Sequence, residues 1–392
     1  MGKGNLNSCC CNDVGTDRQR ATRRRSATRL FDRLRSFFRR GVEPKVEPAP
    51  APEPGHVRGV VDHVIILDGT MSSLEPGQEG NAGLLFLLLK EMGPRANRRL
   101  YYEPGMQWEG WVRGLALIEG RGVAPQIQRA YGWLASGYRK GDRIFLFGYS
   151  RGAFAVRSLA GVIDRVGLLK REQATERAVR LAWRHYERSP SSATAQAFVR
   201  RFCHDEVPVE MVGVWDTVAA MGIRPPVFWM LASDRHRFHN HNLGRSIRHG
   251  YHALALHETR EAFAPLLWDC PPGWEGNVEQ VWFRGAHGDV GGQLGDFTAA
   301  RPLANIPLVW MLDRAEVLGL ALPEGWRARY PCDPEAPMVG TWRKWGKWFV
   351  LRRRRVVGRD RSERLHPTAV AAAGKRWPQA VGIGLQAAKP EP

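Results

Sequence analysis

Cysteine is scarce in this chain of 392 residues, which has only six. Three are adjacent at positions 9–11, and Cys203, Cys270 and Cys332 each stand alone. No pair has the C-x-x-C spacing of a zinc site or a redox dithiol, and six cysteines in a chain of this length do not suggest a disulfide framework. We therefore expect a protein of a reducing compartment, in which the isolated thiols serve as small buried hydrophobic groups.

Long hydrophobic runs are also absent. The richest, at 83–89 and 225–231, fall well short of the roughly 18 apolar residues that cross a bilayer. The amino terminus lacks a secretory pattern, and Leu6 stands where a myristoylation pattern needs Ser or Thr. The sequence predicts a cytoplasmic protein without signal peptide or transmembrane segment, with secretion by another route or peripheral membrane association left open.

Positive charge is concentrated at the two ends of the chain. The formal net charge is +19, of which residues 1–55 carry +6, residues 341–392 carry +10 and the body between them only +3. A near-neutral body with basic ends favours contact of those ends with an anionic membrane surface. A non-catalytic binder of polyanions or nucleic acid is the alternative, although no specific nucleic acid is expected.

Composition also suggests three regions. Residues 1–55 are polar, Arg-rich and then Pro-rich, which predicts a disordered tail and linker. Apolar side chains at helical spacing in 27–40 indicate either a basic amphipathic helix or one that forms only transiently. We expect a single catalytic domain over 56–340, followed by a basic Trp- and Arg-rich extension over 341–392 that packs partly on it.

Within 56–340, segments typical of strands alternate with segments typical of helices. Apolar runs predict strands at 60–70, 143–150, 209–218 and 278–287. Apolar residues at 3.6-residue spacing predict helices at 84–92, 127–138, 151–167, twice within 172–203, and at 303–319. The alternation predicts an α/β fold of the α/β-hydrolase type, with a mostly parallel central sheet and helices on both faces.

The sharpest local motif is Gly148-Tyr149-Ser150-Arg151-Gly152, which follows an apolar strand and opens a helix. This is the setting of a nucleophile elbow, where Gly148 and Gly152 leave room for a sharp turn around Ser150. The helix amino terminus favours developing negative charge, and the backbone N–H of Arg151 would stabilise an oxyanion. The alternative is a tightly packed turn with an incidental serine.

A serine nucleophile needs a base and an orienting acid, which in α/β hydrolases follow it in the order acid, then histidine. Asp216 follows the strand VGVW, and His287 follows VWFRGA in a Gly-rich turn. We predict Asp216 as the acid and His287 as the base. Asp289, two residues further on, is the competing acid, with bracing of the turn as its simpler role. The competing histidines are His63, His249, His252 and His257.

The first predicted strand of the domain ends in Asp68-Gly69-Thr70. An early strand of this architecture is followed by a loop that supplies the second oxyanion N–H, so we expect Gly69 or Thr70 to offer it. Asp68 has the alternative role of bracing this loop through hydrogen bonds.

The motif series resembles a known family, the α/β-hydrolase domain of type VI secretion phospholipase effectors, lipase family one. The matching segments, in the same order, are DGT at 68–70, FGYSRGAFAVRSLAG at 147–161, VGVWDTVAAMG at 212–222, ALHETREAFAPLLW at 255–268, VWFRGAHGDVGG at 281–292, LANIPLVWM at 303–311 and LHPTAV at 365–370. The family's usual HSDVGGG stands here as HGDVGGQ, with Gly288 and Gln293.

The resemblance implies a lipid-ester hydrolase, with Ser150, Asp216 and His287 on the triad positions. It implies a secreted effector whose substrate is a membrane phospholipid, with a secretion apparatus or an immunity protein as partner. No cofactor and no metal are expected. A hydrolase of small soluble esters, with the same triad, is the remaining alternative.

The carboxyl-terminal extension has an interfacial composition. Trp342, Trp345, Trp348 and Phe349 would share one side of a helix, followed by four arginines at 352–355. The alternative is that these tryptophans pack on the catalytic domain while the arginines are solvated.

Overall fold

Eight strands form one sheet in the computed structural model, which describes residues 44–46, 59–95, 97–105, 123–218, 243–270, 276–343, 346–347 and 349–373. All of these belong to the compact unit Pro44–Pro392. The strands are β1 Lys45–Val46, β2 Asp62–Leu67, β3 Arg98–Glu103, β4 Arg143–Tyr149, β5 Val209–Trp215, β6 Ile247–Ala255, β7 Asn277–Phe283 and β8 Glu363–Leu365.

The described helices alternate with these strands along most of the chain. They are α1 Asn81–Glu91, α2 Val123–Gly137, α3 Arg151–Val166, α4 Glu176–Arg188, α5 Ala193–Phe202, α6 His287–Gly291, α7 Arg301–Val317 and α8 Pro367–Ala373. Short 3₁₀ turns occupy Arg171–Gln173, Glu261–Phe263, Thr298–Ala300 and Trp326–Arg329. None of the described helices combines the length and the apolar composition that a bilayer crossing needs.

The strand order across the sheet is β1-β3-β2-β4-β5-β6-β7-β8, and only β1 is antiparallel to its neighbour. From β2 the chain moves first to one side, to β3, and then to the other, to β4. Such a reversal leaves a crevice outside the carboxyl ends of the two central strands, where ligands of open α/β sheets bind. The loops after β2 and β4 meet at this point.

Both faces of the sheet are covered, which explains why its central strands consist of nearly continuous apolar runs. In β2, Ile65 and Leu67 pack into a core with helices α2, α3 and α4, whereas Val64 and Ile66 pack into a second core with α1 and α7. The predicted fold class, a mostly parallel sheet of the α/β-hydrolase type with helices on both faces, is confirmed.

Four strands were not revealed by the sequence pattern: β1 and β8 are only two and three residues long, and β3 and β6 lack a continuous apolar run. β3 begins with Arg98 and Arg99, and β6 contains His249, Gly250 and His252. These polar groups find partners: Arg98, for example, donates a hydrogen bond to the carbonyl of Gly93. The predicted strands and helices were otherwise found at their positions, with ends shifted by a few residues.

The ends of the chain contribute to the sheet where they are described. In the region predicted to be a disordered tail, Lys45 and Val46 pair with β3, and in the predicted extension β8 pairs with β7. The described residues of the proposed aromatic helix at 342–349 form bends and a 3₁₀ turn instead of an α-helix. The amphipathic segment 27–40, the cysteines at 9–11, and Trp345 and Trp348 lie outside the described residues, and the three-region division stays a prediction.

Candidate active site

Ser150 occupies the sharp turn between β4 and α3. Its backbone has φ 57° and ψ −120°, a conformation that costs a non-glycine residue about 1–3 kcal/mol. A β-carbon on Gly148 would lie 2.6 Å from the carbonyl oxygen of Gly152, and one on Gly152 would lie 2.1 Å from that of Leu67. The two glycines are therefore required by close backbone approach, as the elbow motif predicts.

Three side chains distant in sequence form one hydrogen-bonded chain. His287 Nε2 lies 2.8 Å from Ser150 Oγ, and His287 Nδ1 lies 2.6 Å from Asp216 Oδ2. Asp216 follows β5, and His287 opens α6 after β7, so all three lie at the carboxyl edge of the sheet. All three are buried, which limits the competition of water for these hydrogen bonds.

Asp216 is held as an anion in the protein interior. Its Oδ1 accepts hydrogen bonds from the backbone N–H of Ala255 and from Arg355 Nη1, at 2.9 and 2.5 Å. Its Oδ2 accepts from Arg355 Nη2 at 2.9 Å as well as from His287. Burial acts to raise the pKa of Asp216, but Arg355 and His287 outweigh it and hold the pKa well below its usual range. An ionised Asp216 makes Nδ1–H the donor and leaves Nε2 free to accept the serine proton.

The imidazole of His287 lies between two aromatic rings. The centroid of the imidazole lies 4.9 Å from that of the Tyr149 ring and 4.8 Å from that of the Phe263 ring. The contact with Phe263 is edge-to-face. Burial lowers the pKa of His287, while Asp216 and Glu258 oppose that shift. The neutral form is therefore favoured at neutral pH, which is the form that a general base requires.

The competing histidines have other positions and partners. His63 Nε2 pairs with Asp142 at 2.9 Å, at the amino end of the strands, and His249 lies in contact range of Asn277. His252 accepts the Thr217 N–H, and burial lowers its pKa to about 3. None of these contacts joins Ser150.

His257 and Asp289 brace the turn that carries the base. His257 Nδ1 accepts the N–H of Gly285 at 3.1 Å. Asp289 accepts backbone N–H groups from Ala286 at 2.8 Å and from Val339 at 2.7 Å. The simpler role predicted for Asp289 is thus what its contacts show.

The loop after β2 approaches the serine. A β-carbon on Gly69 would lie 3.4 Å from Ser150 Cβ but only 2.6 Å from Tyr149 Cδ1, so the glycine permits the loop to approach the Tyr149 ring. The Gly69 N–H donates to Asp68 Oδ1 at 2.7 Å. Burial raises the pKa of Asp68 to about 6, although this hydrogen bond and those from Tyr102 and Ser72 act to lower it. Asp68 therefore braces the loop, as its alternative role predicts.

Gln293, where the family motif has glycine, contacts the same loop. Its Nε2 donates to the carbonyl of Thr70 at 2.9 Å. Gly288, the other departure, has the carbonyl oxygen of Gln293 2.9 Å from the position of a β-carbon, so a side chain there would need the turn to shift. Gln293 thus joins the His287 turn to the loop after β2, whereas Gly288 permits a close approach within the turn itself.

Sequence reasoning missed two charged residues that bond to His287 and Asp216. Glu258, in the turn after β6, accepts the backbone N–H of His287 at 3.2 Å and is paired with Arg260 at 2.6 Å. Arg355 grips Asp216 from the carboxyl-terminal extension. Nothing in the local pattern around either residue distinguishes it from a solvated charge. Across the described ranges, no group of three or more His, Cys, Asp or Glu side chains is arranged to hold a metal ion.

The fold and the serine turn define the class of this protein as an α/β hydrolase. Within that class, the chain belongs to the family described as the catalytic domain of Tle1-like phospholipase effectors of the type VI secretion system, whose model matches residues 62–314. The predicted family resemblance is confirmed, and the family's description supports the predicted enzyme class, a carboxylic ester hydrolase.

Three individual proteins show what this chain is similar to. An uncharacterized protein of Saccharomyces cerevisiae, YEL023C, is 30% identical over 238 residues, which is 53% of this chain and 33% of that protein. The solved structure of the Tle1 effector bound to the VgrG spike is 20% identical with a TM-score of 0.33, over 63% of this chain and 52% of that one. Thermogutta terrifontis esterase 2 is 12% identical with a TM-score of 0.37, over 72% of this chain and 91% of that one. The chain thus spans about a third of the yeast protein and about half of the effector.

Proposed function

We propose that this chain hydrolyses ester bonds of membrane phospholipids through a Ser150–His287–Asp216 triad and an acyl-enzyme intermediate. The observation that carries the proposal is the continuous hydrogen-bonded chain from Oγ to the buried carboxylate, in a member of a phospholipase family. The lowered pKa of His287 supports its role as the base.

In the first half-reaction, Ser150 Oγ attacks the ester carbonyl carbon while His287 Nε2 takes its proton. Asp216 holds the imidazole in the required tautomer and stabilises the imidazolium. Collapse of the tetrahedral intermediate breaks the ester bond, and Nε2–H protonates the departing alcohol. In the second half, His287 deprotonates a water that attacks the acyl-enzyme, and release of the fatty acid restores the serine.

Two backbone N–H groups are suited to stabilise the oxyanion. Arg151 is the first residue of α3, so its N–H has no acceptor within the helix. On the loop after β2, the Gly69 N–H donates to Asp68, which favours Thr70 as the second donor. Each donor of this kind is worth on the order of 3 kcal/mol in the transition state.

The surface beside the triad suits an anionic membrane. The Phe349 ring packs on that of Phe263 at 5.3 Å, and the next residues, Val350 and Leu351, are 85% and 53% exposed. Arg353 is exposed beside them. Exposed apolar side chains with arginines are typical of segments that bind at a lipid surface. We propose that this surface brings the triad to its substrate.

The family description supports a further proposal about partners. As a relative of type VI secretion effectors, the chain would be delivered by a secretion apparatus, and its producing cell would hold an immunity protein. Purification of the chain with its neighbouring gene products, followed by size-exclusion chromatography, tests for a stable complex.

The decisive test measures fatty-acid release from defined phospholipid vesicles. Wild type should release fatty acid, and Ser150→Ala and His287→Ala should each lose roughly three orders of magnitude or more in kcat. Ser158→Ala is the matched control, because it removes the hydroxyl of another buried serine, one that donates to the Phe154 carbonyl within α3.

Full activity of Ser150→Ala would contradict the proposal. Labelling by a fluorophosphonate probe gives an independent readout, since only an activated serine reacts. Hydrolysis of dissolved short-chain esters without hydrolysis of vesicles would instead favour the soluble-ester alternative.

A further inference from the structure

Arg355 is a buried arginine that contacts Asp216 from outside residues 62–314, the stretch that the family model matches. The family match ends at residue 314, whereas Arg355 lies in the carboxyl-terminal segment, residues 349–373. Its side chain is 3% exposed, and that of Asp216 is fully buried. Neighbouring Arg353 and Arg354 are exposed, so this one arginine of the basic block points inward.

The guanidinium fixes three parts of the site at once. Nη1 donates to Asp216 Oδ1 at 2.5 Å and to the Ala255 carbonyl at 2.8 Å. Nη2 donates to Asp216 Oδ2 at 2.9 Å and to the Phe263 carbonyl at 2.6 Å. The first pair restricts rotation of the carboxylate, and the last bond holds the residue whose ring packs on His287. A bidentate fork of this kind sets both distance and orientation.

We propose that Arg355 is a positioning residue of the triad, which fixes the carboxylate of Asp216 and, through its charge, keeps His287 an unprotonated base at lower pH. This inference rests on the proposed hydrolytic function. A positive charge bonded to Asp216 offsets part of the negative charge that would otherwise stabilise the imidazolium. Arg355 therefore makes the imidazolium of His287 less stable, but it keeps Asp216 ionised and keeps His287 unprotonated down to a lower pH.

Other titratable and charged groups also face His287 and contribute to its pKa. From the elements packed around it these are Ser150, Tyr149, Asp216, Glu258, Arg260 and Arg355, and on its own helix Asp289. Among these, Arg355 is the cation that bonds directly to the carboxylate partner of the imidazole. Its removal should therefore raise the pKa of His287.

The experiment compares the pH dependence of kcat/KM for wild type, Arg355→Met and Arg355→Lys on a dissolved short-chain ester, so that membrane binding does not enter. Arg355→Met should move the acid limb to higher pH by on the order of one unit and lower kcat about ten-fold. Arg355→Lys keeps the charge but not the fork, so the limb should stay close to that of wild type while kcat falls with little change in KM.

Arg98→Met is the matched control, because Arg98 is a second buried arginine, at the amino end of β3, away from the triad. Its acid limb should coincide with that of wild type. Nuclear magnetic resonance titration of His287, identified by its absence in His287→Ala, measures the same pKa without turnover. Circular dichroism of each variant establishes that it is folded.

An unmoved acid limb and an unmoved His287 titration in folded Arg355→Met would overturn the inference while Ser150-dependent hydrolysis remained intact. If Arg355→Met does not fold, Arg355→Lys decides, and an unchanged kcat in that variant overturns the positioning role. Loss of the proposed function gives a different result, in which wild type itself shows no Ser150-dependent hydrolysis while the titration still reports on Arg355.

Discussion

At the residue scale, the site concentrates unusual backbone conformations. Among the described residues, the non-glycine positions with positive φ are Met71, Ser150 and Asp216. Two of them carry proposed triad side chains, and Met71 follows the proposed oxyanion loop. Strain at such positions persists only where the surroundings enforce it. For Ser150 the enforcing contacts are the close approaches of Gly148 and Gly152.

The free energy of unfolding should therefore be larger for Ser150→Gly than for Ser150→Ala. Both variants lose the hydroxyl and its bond to His287, so their difference isolates the backbone. Relief of strain at φ 57° is worth about 1–3 kcal/mol, and the added freedom of glycine in the unfolded chain offsets roughly 0.5–1 kcal/mol of it. Urea unfolding should show Ser150→Gly to be the more stable by about 1 kcal/mol. Equal midpoints would limit the stored strain to the roughly 0.5–1 kcal/mol that the freedom of glycine costs, and a Ser150→Gly variant less stable than Ser150→Ala by that amount would mean that the turn stores none.

At the scale of elements, the site is assembled from loops at the carboxyl ends of five parallel strands, β2, β4, β5, β6 and β7. The turn after β6 contributes Glu258, which accepts the His287 N–H and thereby joins this turn to the start of α6. Arg260 neutralises Glu258 and lies over the Phe263 ring at 3.9 Å. His287 is thus held by a contact that comes from neither Ser150 nor Asp216.

Glu258→Gln should shift the acid limb of kcat/KM in the opposite direction to Arg355→Met. The Glu258 carboxylate raises the pKa of His287, so its neutralisation should lower that pKa and move the limb to lower pH. The loosened turn should also lower kcat about ten-fold. Glu210→Gln, at the amino end of β5, is the control, and pH profiles of both variants provide the measurement. An acid limb that moves to higher pH would contradict the claim that the Glu258 carboxylate raises the pKa of His287.

The sequence predicted those parts of the site whose signals are local. The elbow glycines surround Ser150 within five residues, and Asp216 and His287 each follow an apolar strand. Arg355 could not be predicted, because one arginine in a run of four gives no sign of which side chain turns inward. β3 and β6 escaped for a related reason, since their polar residues find partners outside the strands, such as the Gly93 carbonyl for Arg98 and the Thr217 N–H for His252, which a strand pattern does not reveal.

At the scale of the whole molecule, the charge is distributed so that the basic ends flank a near-neutral catalytic body. The described part of the carboxyl-terminal end both completes the sheet and presents Val350 and Leu351 to solvent. One short segment therefore contacts the buried Asp216 through Arg355 and presents Val350 and Leu351 at the surface.

A Val350→Ser/Leu351→Ser double variant should bind anionic vesicles about ten-fold less tightly than wild type, because it loses apolar surface that would enter the lipid interface. Vesicle co-sedimentation at several salt concentrations measures this loss, and the electrostatic share of binding should weaken as salt increases. Val317→Ser removes an equally exposed valine, 84% exposed, at the far end of α7 and should bind as wild type does. Equal loss in both variants would argue against a specific docking surface.

The contact between Asp216 and Arg355 spans 139 positions of the chain. On the ribosome, Ser150, Asp216 and His287 therefore leave the exit tunnel well before the arginine that compensates the buried carboxylate. If Arg355 acts as proposed, a nascent chain reaches its full hydrolytic activity only after translation has passed that codon, and the timing is set by the gene's own reading direction.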